Sequence, residues 1–255
     1  MTLFEKLNKD VIFFDGGLGS LLIAKGVTTD EPPEFLNITA PEALIDIHLS
    51  YLNAGSDIIT TNTFGANAIK LHSDMYTLSE VITAAIKNAK SAVEKSGKNA
   101  LVAFGMGPTG KLLEPMGELK FDDAVAAYTE AASIAEKAGA DLIIIETMTD
   151  TYEMKAAVLG AKEASDLPII ATFSFDKDGR LLTGGNIKAG ITLLEGLKVD
   201  ALGINCGFGP DVVKRLLPEF TEFATTPIIV QPNAGLPVTE GGKTRYNISP
   251  VEFAE

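Results

Sequence analysis

Cysteine is almost missing from this chain. Cys206 is the only one in 255 residues, so no internal disulfide can form, and a reducing cytoplasm is the expected setting. A run of 18 consecutive apolar residues is missing too, which excludes a helical membrane span. The opening segment MTLFEKLNKD lacks the basic-then-apolar layout of a signal peptide. Basic residues are outnumbered, 21 against 34 acidic, for a net charge of −13. That field repels nucleic acid and anionic membranes, no Lys/Arg stripe opposes it, and it favours solubility. Neither of the two histidines, His48 and His72, falls at a strand end. Both read as structural, and a Cys–His catalytic pair has little support. No linker, charge block or low-complexity tract marks a boundary, so residues 1–255 read as one domain.

What is present is a regular alternation. Seven short apolar runs stand out: 11–15, 57–61, 100–105, 141–146, 168–174, 200–206 and 226–232. Most are β-branched and apolar on both faces, as parallel strands covered on both sides are. Helical patterns separate them. Pro41 suits a first helical turn and Gly55 a helix end. Thr77 and Glu80 make a capping box ahead of an apolar stripe that stops at Gly97. Phe121–Ala138 repeats the design and stops at Gly139. The phrases NAGSD, KAGAD and LKVDA each lead a helix into a strand, the nearest thing to an internal repeat.

Strand–helix alternation implies a parallel sheet with right-handed crossovers. Polar or unusual residues follow nearly every strand: Asp15, Asn62, Gly107, Glu146, Ser174, Cys206 and Asn233. Groups converging from many strand ends suit the top face of a (β/α)8 TIM-type barrel better than the single switch point of a doubly wound sheet. The eighth strand is not found. Ser249, Pro250 and Glu252 begin a helix that stops at Glu255, so the expectation is a barrel domain truncated before its last βα unit.

Asp15 runs into Gly16-Gly17-Leu18-Gly19-Ser20, where glycines bring backbone N–H groups near a ligand. A tight turn with Asp as a cap explains the same residues. Glu146 closes an apolar strand and must be paired or kept for a ligand. With Asp15 it suits an ammonium group or acid/base work. Asn62 offers an amide at the rim or ties two loops together. Cys206, before a Gly-rich turn, is an inert buried thiol, a nucleophile or a metal ligand. One cysteine cannot make a zinc site alone. Gly184-Gly185 lacks the basic partner of a phosphate cradle.

In this order, Asp15-Gly16-Gly17, Thr61-Asn62-Thr63-Phe64, Gly107-Pro108, Glu146-Thr147, Gly203-Ile204-Asn205-Cys206 and Pro232-Asn233-Ala234-Gly235-Leu236-Pro237 resemble the homocysteine S-methyltransferase family. They are most similar to the N-terminal homocysteine-binding module of cobalamin-dependent methionine synthases. The resemblance implies a zinc-containing barrel that activates the homocysteine thiol for methyl transfer, giving methionine. It implies Cys206 as one of three cysteine ligands, the other two forming a pair on the eighth strand that this sequence lacks. It implies Asp15 and Glu146 around the substrate amino group, N–H groups near Gly19 and Ser20 at its carboxylate, and Asn62 at the pocket. Methylcobalamin, a methylsulfonium compound and a betaine are the donors it allows, with folate- and cobalamin-binding modules as partners in the same or another chain. Two alternatives stay open. One is a metal-free barrel binding an amino acid or methylamine in a corrinoid system. The other is an incomplete barrel completed by a partner chain.

Overall fold

The computed structural model describes residues 11–235, 237–240 and 243–254. The chain starts with a short helix α1 (Leu18–Ala24), a 3-10 turn (Pro33–Phe35), α2 (Leu36–Thr39) and α3 (Pro41–Ala54). Then come β1 (Ile58–Thr60), α4 (Leu78–Ser96), β2 (Leu101–Met106), α5 (Phe121–Ala138), β3 (Leu142–Met148) and α6 (Thr151–Ala164). The series continues with β4 (Ile169–Phe173), α7 (Ile187–Gly196), β5 (Ala201–Asn205), α8 (Pro210–Phe223) and β6 (Ile228–Gln231). A hairpin, β7 (Pro237–Glu240) and β8 (Lys243–Tyr246), and a last turn α9 (Pro250–Ala254) complete it.

β1 to β6 form one parallel sheet in sequence order, each strand beside the next. The result is an incomplete TIM-type barrel: six curled strands with helices outside. Strands β2, β4 and β5 are buried at every position, which explains their unbroken apolar sequences. Side chains that face outward, such as Ile143, Ile145 and Phe173, pack against α5, α6 and α7 in the largest cluster. Their neighbours Ile144, Ile170 and Ala201 fill a smaller inner one.

The local signals act as the sequence predicts. Thr77 and Glu80 cap α4 reciprocally. Pro41 opens α3, and Gly55, Gly97 and Gly139 end their helices in the left-handed region. Ser249 and Glu252 exchange the two bonds of a capping box.

Two expectations need correction. The run 11–15 is not a full strand but a single parallel bridge, Phe14 to Ile58. Its alternate side chains, Val11 and Phe13, are 76% and 62% exposed. Half of that segment therefore has no packing partner to hold it extended. The stretch after β6, read as a loop, leads into an antiparallel hairpin instead. Leu236, part of the motif quoted there, lies outside the described residues, as does the opening segment 1–10.

The helix-to-strand phrases hide a repeated device. In each, an Asp donates its N–H to a carbonyl of the preceding strand segment and accepts that same residue's N–H on Oδ2. Asp57 does this with Phe13 at 2.8 and 3.1 Å. Asp141 pairs with Val102 at 2.9 and 2.7 Å, and Asp200 with Ile169 at 2.8 and 2.7 Å. Each clamp satisfies a backbone donor at the bottom of the sheet that has no ladder partner.

Candidate functional site

The tops of the strands carry the polar groups. Asp15 follows the Phe14 bridge, and its Oδ2 accepts the N–H of Thr60 at 2.8 Å. It is not a helix cap: Gly17 caps α1, with no side-chain bond. Glu146 lies near the end of β3. Pairing runs from Ile145–Ala171 straight to Met148–Phe173, so β3 has one extra residue there. That bulge, with Thr147 at φ 62°, turns Glu146 out of the strand alternation. Gly105 on β2 leaves it room, since a Cβ there would stand 3.2 Å from Glu146 Oε1 and 3.0 Å from the Thr60 methyl.

Asp15 and Glu146 thus share one place, and their electrostatics agree. Burial pushes Asp15 up to about 7; the Thr60 N–H opposes this and the Glu146 charge adds to it. Burial alone pushes Glu146 up to about 7. Among the described residues neither has a cationic partner. Two half-buried carboxyls at this threshold hold a proton between them or wait for a cation.

Cys206 follows β5, its N–H bonded to Gln231 O at 3.0 Å and its backbone at φ 55°. Burial raises its thiol, a Thr147 hydrogen bond lowers it, and the Glu146 charge raises it again. Thr147 Oγ1 donates to its sulfur at 3.7 Å and Asn205 Nδ2 at 3.4 Å. Glu146, Thr147, Asn205 and Cys206 form one cluster across β3 and β5.

Gly19 and Ser20 lie in the first turn of α1, exposed. Ser20 Oγ donates to Gly17 O at 2.9 Å. The first N–H groups of this helix have no side-chain acceptor. Asn62 makes its contact elsewhere. Its Nδ2 donates to Pro33 O at 2.8 Å and its carbonyl accepts from Asn37 at 2.7 Å, so its amide ties two loops together. Asn233 sits beside the cluster through its N–H bond to Phe208 O at 3.0 Å. His48 is buried in α3 and held neutral, pushed down to about 4 by burial. His72 is exposed in the loop before α4.

Sequence reasoning missed several groups. Tyr51 of α3 donates to Gly17 O at 3.2 Å. Burial and the Asp15 charge push its hydroxyl up to about 12. Gly16 makes room for it, since a Cβ there would meet the Tyr51 oxygen at 2.9 Å. Thr147 and Asn205 stood inside the quoted motifs, but only the neighbouring Glu146 and Cys206 were singled out. A β-branched residue directly after a strand-end carboxylate was the available signal.

The homocysteine S-methyltransferase family model matches residues 12–255. This chain belongs to that family. It is 35% identical over 269 aligned residues to methionine synthase of Mycobacterium tuberculosis, covering 99% of this chain and 22% of the mycobacterial protein. Methionine synthase of Mycobacterium leprae is 33% identical with the same coverage. The chain therefore spans about a fifth of the length of these curated relatives. The homocysteine methyltransferase MmuM from Escherichia coli shares the fold. Its metallated form superposes with a TM-score of 0.78 at 24% identity, covering 91% of this chain and 87% of the other. Its apo form gives 0.74 at 23% identity, covering 91% and 84%. Among the described residues no helix is long and apolar enough to cross a membrane.

Proposed function

We propose that this chain binds homocysteine for S-methylation to methionine, with residues 1–255 acting as one substrate-binding barrel domain. The observation that carries the reading is the half-buried Asp15–Glu146 pair without a cation. A substrate ammonium supplies the missing charge. The open N–H groups of α1 near Gly19 and Ser20 receive its carboxylate, and Asn62 fixes the loop at the rim. The side chain then extends toward Cys206, which marks the sulfur end.

In the reaction the homocysteine thiol loses its proton, a sulfur–methyl bond forms, and the methyl group's bond to its donor breaks. Family kinship suggests zinc as the group that takes the thiol's proton place, and such sites take three protein ligands. The residues present do not fit a complete site. The chain has one cysteine, and among the described residues no three His, Cys, Asp or Glu side chains converge to hold a metal. Cys206 is the one thiol ligand this chain offers. The methyl donor, methylcobalamin in the reading we favour, belongs to folate- and cobalamin-binding modules in the same or another chain, as the length of the relatives suggests.

Titration calorimetry tests the proposal. L-homocysteine should bind, and Glu146→Gln should weaken it by at least tenfold. No binding by the intact chain, or binding untouched by both Glu146→Gln and Asp15→Asn, would remove the reading. The single cysteine favours one other reading, a metal-free site for another amino acid or a methylamine. Tighter, zinc-independent binding of such an amine than of homocysteine would select it.

A further inference from the structure

Asn205 is 2% exposed at the end of β5, and nothing in the proposed chemistry uses it. Both ends of its amide are nonetheless engaged. Oδ1 accepts the Thr147 N–H at 2.8 Å and the Thr172 hydroxyl at 2.8 Å. Nδ2 donates to Thr147 Oγ1 at 2.8 Å and to the Cys206 sulfur at 3.4 Å, with Glu146 Oε2 at 3.5 Å. One amide joins the tops of three consecutive strands, β3, β4 and β5.

Its partners are the residues that least hold themselves. Thr147 and Cys206 are two of the three non-glycine residues with positive φ among those described, at 62° and 55°. A β-branched residue in that region is an outlier, and such conformations persist only when surroundings over-determine them. The bulge also takes the Thr147 N–H out of the β3–β4 ladder. A buried, unpaired N–H would be costly, and Asn205 Oδ1 is its acceptor. The bulge that aims Glu146 and the turn that aims Cys206 therefore close on the same side chain. Thr147 relays the connection, its hydroxyl accepting from Asn205 and donating to the sulfur.

We infer that Asn205 is the positioning residue of this site, fixing Glu146 through the Thr147 bulge and the Cys206 sulfur directly, so that the amino-group end and the sulfur end keep one spacing. The inference rests on the proposed homocysteine site for its purpose, but its geometry can be tested separately. Asp at this position keeps the acceptor and replaces the donor that faces Thr147 and the sulfur. Thr172→Val removes a bond to the same amide from the side away from Cys206, and so controls for a purely structural role.

Because the chain has one cysteine, labelling with 13Cβ-cysteine gives a spectrum of a single residue. At fixed pH the intact protein should show one sharp resonance. N205D should split or broaden it and weaken homocysteine binding at least tenfold. T172V should leave one resonance and change binding less than threefold. T147V, which cuts the relay without altering the amide, should disturb the resonance like N205D and decides the question if N205D does not fold. An unchanged resonance and affinity in N205D, or in T147V where that variant stands in for it, would overturn the inference. So would equal damage from T172V. If the intact chain fails to bind homocysteine, the functional reading falls, while the cysteine resonance still decides whether Asn205 positions Cys206.

Discussion

Lys198 holds the backbone at φ 56° where the other two helix-to-strand phrases have Gly55 at 114° and Gly139 at 93°. All three stand two residues before a clamping Asp. A left-handed conformation costs a non-glycine residue roughly 1–2 kcal/mol, partly offset by the greater freedom of glycine when unfolded. The Lys198 side chain is exposed, and its carbonyl, which accepts from Lys162 at 2.9 Å, survives substitution. Lys198→Gly should therefore stabilise the protein by up to about 1 kcal/mol, read as a rise in the midpoint of thermal unfolding. Asp15 and Glu146 give a prediction of opposite dependence. Both are raised from the usual carboxylate range to about 7, so the folded state prefers them protonated. Their favourable contribution is full below the unfolded values near 4 and is lost as pH rises through about 7. Asp15→Asn and Glu146→Gln should each raise the melting temperature relative to the parent at pH 8, with the gain vanishing toward pH 4. An ammonium ligand reverses the preference. Homocysteine binding near pH 7 should release protons, seen as a dependence of the calorimetric heat on buffer ionisation enthalpy.

At the scale of elements, legibility followed the range of the physics. Caps and stops were readable because Thr77 with Glu80, Pro41 and Gly139 act within one helical turn. β2 to β5 were readable because burial on both faces leaves an unbroken apolar run. The first run, 11–15, carried the same composition but lacked the neighbours, and strand formation depends on neighbours. The site divided in the same way. Asp15, Glu146 and Cys206 stood out as unusual residues at strand ends. Asn205 did not, because its role depends on a bulge in β3, two strands away, which no local pattern announces. Gly203 belongs here as well. A Cβ at that position would drive into the carbonyl of Ile229 on β6, so Gly203→Ala should part β5 from β6 and cost about 2–4 kcal/mol, measured by denaturant unfolding. An unchanged midpoint would show that the two backbones can give way.

For the whole molecule, chemistry and cohesion are divided between the two ends of the sheet. The top holds the carboxyl pair, the strained Thr147 and Cys206 and the glycines that make room for them. The bottom holds the Asp57, Asp141 and Asp200 clamps. The clamps join strand segments in pairs: 11–15 with β1, β2 with β3, and β4 with β5. No such clamp spans β1 to β2 or β3 to β4. The chain is thus assembled from two-strand bricks, and the mortar between them differs from the bond within them. A backbone cut between α6 and β4, near Asp166, severs no clamp, whereas a cut in the loop between β2 and α5, near Gly117, divides one pair. Fragments split at the first position should reassociate when mixed, and those split at the second should do so poorly or not at all.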